Sequence, residues 1–144
     1  MLNYNSVIKN EINQGSISVK EISPVIKINL RGKKREFLTN VGKNLNMILP
    51  TEANTSTTSD KLTAIWLSPD EWMVVSNELV SKDTNKYELQ EMLFNSISKT
   101  TLGAVVDVTD QFVQLELKGE NIYEIFSAGS PFNFNEFKEK KGST

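Results

Sequence analysis

The spacing of apolar positions alternates between a period of two and a period of three to four, and each switch marks an element. Residues 1–16 are polar with no clear period and predict a flexible N-terminal arm. From Ile17 the chain reads as extended. Ile22, Val25, Ile26, Ile28 and Leu30 supply a β-rich segment in which Pro24, lacking an N–H, marks an edge or a bulge. Arg31-Gly32 turns the chain. Phe37, Leu38, Val41 and Leu45 then recur at helical spacing. Gly42 inside that helix costs about 0.5–1 kcal/mol relative to Ala, and the helix should stop before Pro50.

Residues 51–61, TEANTSTTSDK, are rich in Ser, Thr and Asn and predict a surface loop. Two strands follow, Ala64–Leu67 and Trp72–Val75. They flank Ser68-Pro69-Asp70-Glu71, which suits a type I turn with Ser first and Pro second. A helix from about Thr84 to Ser98 is predicted with Leu89, Met92, Leu93 and Ile97 as its buried stripe and Asp83 or Thr84 as its cap. GAVVDV at 103–108 reads as a central strand and Thr109-Asp110 as a turn. In the next strand Val113, Leu115 and Leu117 alternate with Gln114, Glu116 and Lys118, which predicts one wet face. Gly119 breaks it. Asn121–Ser127 predicts a short helix with Gly129 as C-terminal cap, followed by an aromatic, irregular stretch over 131–137 and a charged tail.

The order strand, helix, two strands, helix, two strands, helix predicts an α+β fold: one mixed or antiparallel sheet with helices on one face. At 144 residues, one domain over 17–144 is the expectation.

Composition narrows the chemistry mainly by what is missing. The sequence has no Cys and no His. Thiolate nucleophiles, disulfides, Ser-His and Cys-His pairs and structural zinc are thereby excluded. Carboxylates, lysines and tyrosines remain, and these catalyse only when strongly tuned by their surroundings. No catalytic, cofactor-binding or metal site residue is assigned. A net charge of −2 gives no ground for a nucleic-acid partner. No apolar run approaches a membrane span and the N-terminus has no signal-peptide core, so the expectation is a cytoplasmic protein.

Four groups are candidates for function, each with a plainer reading beside it. Arg31, Lys33, Lys34 and Arg35 would dock an acidic partner surface, although charge runs more often form a solvated face. Asp107 and Asp110 would pair for acid–base work, but three apart in a strand they point to opposite faces, and a turn role is the better reading. Trp66 and Trp72 would stack a flat ligand, although in strands such residues are usually core. Phe132, Phe134 and Phe137 form either an exposed apolar patch or part of the core. No phosphate-binding glycine pattern occurs.

Three segments taken together carry a resemblance: INLRG at 28–32, AIWLSPDEWMVV at 64–75, and AVVDVTDQFVQLELKGENIYEIFSAGSPFNFNEF at 104–137. In order and spacing they resemble the gamma subunit family of heterotetrameric sarcosine oxidase. The resemblance implies a fold similar to the folate-binding domain of the glycine-cleavage T protein and of YgfZ. It implies an accessory chain without catalytic residues, in a complex with alpha, beta and delta subunits. In that complex FAD, FMN and NAD belong to alpha and beta and zinc to delta. The complex oxidatively demethylates sarcosine to glycine, with hydrogen peroxide and, through tetrahydrofolate, 5,10-methylenetetrahydrofolate as products. The family continues past the position of Thr144, so the resemblance also implies a C-terminally incomplete fold with an open sheet edge. Such an edge predicts self-association of the isolated chain. The alternative function is a stand-alone T-protein or YgfZ-like folate-binding domain, which a ligand-sized pocket at Trp66 or Trp72 would favour. An independent enzyme is the third reading, disfavoured by the missing residue types.

Overall fold

A computed structural model describes residues 5–80 and 87–139. Its strands are β1 (Ile12–Gln14), β2 (Ile17–Glu21), β3 (Val25–Arg31), β4 (Ser56–Thr58), β5 (Leu62–Ser68), β6 (Glu71–Leu79), β7 (Ala104–Asp107) and β8 (Leu115–Lys118). Its α-helices are α1 (Arg35–Leu45), α2 (Glu88–Leu93), α3 (Ile122–Gly129) and α4 (Glu136–Glu139). The fold is α+β, as the pattern predicts, and the strand pairs are antiparallel.

Two ladders replace the single sheet of the sequence reading: five strands in the order β4-β5-β6-β3-β7, and three in the order β1-β2-β8. They share one ribbon. Residues 17–31 run against residues 104–118 in a register that differs by one residue between the two ends, Ser18 facing Lys118 and Arg31 facing Ala104. Backbone bonds from Ile22 to Gln114 and from Val108 to Lys27, both 2.9 Å, carry the pairing across the junction. Pro24 sits in that junction, where no ladder bond is asked of its nitrogen.

Alternation decides which face is buried. Ile26, Ile28 and Leu30 of β3, Trp72 and Val74 of β6, Ala64 of β5 and Val105 of β7 face the helices. α1 brings Phe37, Val41 and Leu45 onto them, and Leu93 and Ile97 come from α2 and the five-residue π-turn Phe94–Ser98 that continues it. Burying a side chain of this size fully is worth about 1.5–3 kcal/mol each. α1 stops at Asn46, which adopts the left-handed conformation at φ 50°; Asn tolerates this better than most residues because its short amide bonds locally.

Several expectations need correction. Part of the stretch expected to be a flexible arm is ordered into β1, which pairs with β2. Ser56–Thr58, inside the expected loop, forms edge strand β4. The second helix loses regular α geometry at Phe94, and Met92 on it is exposed rather than buried; the proposed caps Asp83 and Thr84 lie outside the described residues. GAVVDV supplies an edge strand, not a central one. Only Val105 of its two valines meets the helices, while Val106 is 46% exposed on the other face. Val113 and Leu115, expected on a dry face, are exposed. Gly129 is the last residue of α3 and the chain leaves it through extended Ser130, so no glycine cap forms.

Candidate functional site

The residues that carry the family-like pattern gather at two places along β3. The first is the end of the strand. Gly32 donates its N–H to the carbonyl of Asp70 at 3.0 Å, which ties the turn after β3 to the tip of the β5–β6 hairpin. Two exposed ion pairs flank that bond, Arg31 to Glu71 at 3.7 Å and Lys33 to Asp70 at 3.5 Å. Glu71 also accepts from the amide of Asn29 at 2.8 Å. The Ser68 hydroxyl donates to the Asp70 carboxylate at 2.9 Å. That bond, then the charges of Lys33 and Arg31, hold Asp70 below the usual carboxylate range.

Behind the hairpin tip lies the core. Trp72 is 2% exposed, its indole N–H donates to the Pro50 carbonyl at 2.7 Å, and its ring stands 5.8 Å from that of Phe37. The same Phe37 ring explains two glycines. A Cβ on Gly32 would come within 2.4 Å of the ring, and one on Gly103 within 2.2 Å of the Arg31 carbonyl oxygen and 2.8 Å of the ring. Leu-Arg-Gly, Pro-Asp-Glu-Trp and Gly103 therefore belong to one packing arrangement. Trp66, opposite Trp72 in the ladder, is half-buried against the core. Both tryptophans are packing residues, and neither lines either of the two surface grooves described below.

The second place is the junction of the two ladders. The Asp107 carboxylate accepts from the backbone N–H of Thr109 at 2.8 Å, an Asx turn that folds the chain into the short 3-10 turn Thr109–Gln111. The buried Thr109 hydroxyl accepts the Lys27 N–H at 3.0 Å and lies 3.5 Å from the Lys27 carbonyl. A side chain thus substitutes for a ladder partner where the strands part. Lys27 itself is buried, and its ammonium donates to the Val25 carbonyl at 3.2 Å. Burial lowers its pKa, opposed by the negative charges of Asp110 and Asp107. Asp107 and Asp110 hold a turn and offset a buried cation. The sequence reading missed Lys27, whose only signal is a lone lysine in the apolar run Val25–Leu30.

The C-terminal aromatics form a third group. Phe134 lies 5.2 Å from Phe132, 5.3 Å from Phe126, 5.7 Å from Phe137 and 6.5 Å from Tyr123, ring centre to ring centre. They pack on one another and not in the main core. α3 has no buried residue, and Ile125 and Phe126 are 52% and 38% exposed. An apolar surface of this kind is typical of a face that meets another protein.

Two open grooves complete the surface. One, of about 580 Å³, runs along α1 and the loop after it. The other, of about 480 Å³, is lined by Gln90, Glu91, Phe94, Asn95 and Lys99. Among the described residues no cluster of three acidic groups could hold a metal ion, and no helix is long and apolar enough to cross a membrane.

These features define a class: an antiparallel α+β domain whose distinctive residues hold the architecture and whose apolar surface is suited to association. A solved structure of the same fold is titled heterotetrameric sarcosine oxidase from Corynebacterium sp. U-96 in complex with pyrrole 2-carboxylate; one of its chains aligns with a TM-score of 0.71 at 16% identity. The alignment covers 88% of this chain and 62% of that one, so the chain spans under two thirds of its structural relative. No curated protein matches. The sequence model of the sarcosine oxidase gamma subunit family matches residues 32–138, and the chain belongs to that family.

Proposed function

We propose that the chain is the non-catalytic gamma subunit of a heterotetrameric sarcosine oxidase, assembled with alpha, beta and delta chains. In this reading the complex demethylates sarcosine to glycine in the cytoplasm, using FAD, FMN, NAD, zinc and tetrahydrofolate held by the other subunits. The observation that carries it is the family match over 32–138, which spans both motif clusters around β3 from Gly32 onward. The local geometry agrees. Asp70, Trp72, Asp107 and Thr109 are each engaged in hydrogen bonds that hold turns and strands together. A ligand-sized pocket at Trp66 or Trp72 would favour the stand-alone folate-binding alternative, but Trp72 lies in the core and neither tryptophan lines the two grooves described above.

The test is co-expression of the chain with its cognate alpha, beta and delta chains, followed by sizing. The expected result is one complex containing all four chains, with flavin absorbance and sarcosine-dependent peroxide formation. The isolated chain should carry neither flavin nor activity. Flavin that stays with the isolated chain through gel filtration, or a chain that never enters the complex, would overturn the proposal.

A further inference from the structure

The basic cluster divides once its partners are known. Arg31 and Lys33 are paired with Glu71 and Asp70. Lys34 and Arg35 are exposed at the start of α1 and have no carboxylate partner among the described residues. Arg35 also lines the larger groove, together with Lys43 two turns along the same helix. Leu38, Met47, Ile48 and Leu49 form the groove's apolar part, with no side chain at Gly42 to fill it. Ile48 is 82% exposed at its rim. No acidic residue lines it; the one carboxylate of the helix, Glu36, stands in its first turn.

This combination is costly unless it is used. Positive charge at the first turn of a helix opposes the macrodipole, and an isoleucine in water forgoes its burial energy. An apolar trough bordered by unneutralised cations is complementary to a segment that places one or two apolar side chains between carboxylates. We infer that the α1 groove, lined by Arg35 and Lys43 and with Lys34 next to Arg35 at the helix start, docks an acidic, apolar-anchored segment of a flavoprotein partner chain. The inference rests on the subunit reading and adds to it the surface and the chemistry of the contact.

The helix dipole supplies a clean test. Lys34→Glu with Arg35→Glu replaces cations by anions where the dipole favours anions, so the variant should melt at the same temperature as wild type or higher. Its affinity for the co-expressed flavoprotein chains should nevertheless fall by about tenfold or more, as expected when charges at a docking surface are reversed. Wild-type association should weaken as salt rises from about 0.05 to 0.5 M, and that of the variant should respond less. Ile48→Ser, at a side chain that packs on little, should weaken the complex without altering the melt. Carbodiimide coupling, which joins amines to carboxylates, should link Lys34 or Lys43 to an acidic peptide of the partner. A folded double variant that binds as tightly as wild type would overturn the docking assignment and leave the subunit reading standing. Wild-type chain that fails to bind at all would overturn both. A wild-type homodimer that the same variants disperse would assign the groove to a second copy instead.

Discussion

Trp72 is the residue on which both the sheet and the post-helix loop depend, and its removal separates two contributions. In Trp72→Ala the indole leaves a hole between Phe37, Leu30 and the Pro50 segment. Truncations of buried Trp cost about 3–5 kcal/mol. The Pro50 carbonyl, which accepts at 2.7 Å from the indole, would lose that donor, and a stranded buried acceptor costs about 1–3 kcal/mol; the upper part of the range is therefore expected. Trp72→Phe keeps most of the apolar body but removes the N–H, so about 1–3 kcal/mol should be lost. For a chain of this size 4 kcal/mol corresponds to roughly 10 °C in melting temperature. The assay is urea unfolding followed by circular dichroism, with the fluorescence of Trp66, the only other tryptophan, as a second probe. An Ala variant that loses less than about 1 kcal/mol at unchanged m would refute the packing argument.

Three further outcomes follow from the geometry. Gly103→Ala puts a methyl against the Arg31 carbonyl and the Phe37 ring and should cost about 1–3 kcal/mol; Gly129→Ala, with nothing within 4 Å, should be neutral or slightly stabilising, and equal melts for the two would contradict this. Ser68→Ala removes the leading cause of the low Asp70 pKa. The folded carboxylate is held below its unfolded value, so its contribution is present above the unfolded pKa and is lost as pH falls through the folded one; NMR titration should show the Asp70 midpoint rising in the variant. Lys27 is the opposite case, a cation whose folded pKa lies below its unfolded value. The unfolded chain binds more protons between the two values, so the burial penalty is relieved as pH rises through the folded pKa toward the usual lysine value. Lys27→Met should leave stability at pH 7 unchanged or raised and flatten that alkaline dependence, and a loss of more than about 1 kcal/mol in the melt would refute it.

The parts legible in the sequence were those where one residue type answers one local requirement. Ser-Pro-Asp-Glu dictates a turn, and the alternation of Ile26, Ile28 and Leu30 dictates a face. The helical spacing of Phe37, Val41 and Leu45 dictates a second layer. β4 was not legible because Ser56-Thr57-Thr58 has β-branched residues but nothing apolar to mark a buried side. β7 was misplaced because two adjacent valines imply burial on both faces, whereas only Val105 is covered. Asp107 could be read as a turn former from its own neighbourhood. Its association with Lys27 could not, because the contact spans 80 positions and Lys27 differs from its apolar neighbours only in charge. The division of the basic cluster was equally hidden: it depends on Asp70 and Glu71 arriving from a hairpin some forty residues downstream.

The shared ribbon has a consequence for the order of events in folding. β3 lies between β6 and β7 in the five-stranded sheet, yet the second of these neighbours begins at Ala104, more than seventy residues later. The hairpin β5–β6 and its pairing with β3 are available as soon as Leu79 has emerged from the ribosome. The other side of β3 must wait until the chain reaches Asp107, and the β2–β8 pairing until it reaches Lys118. Such long-range closure is the slow kind, since loop entropy is spent before contacts compensate it. During synthesis at about 5–20 residues per second, the backbone groups of β3 stay unpaired on that side for seconds. The nascent chain is then a half-sheet with an adhesive flank.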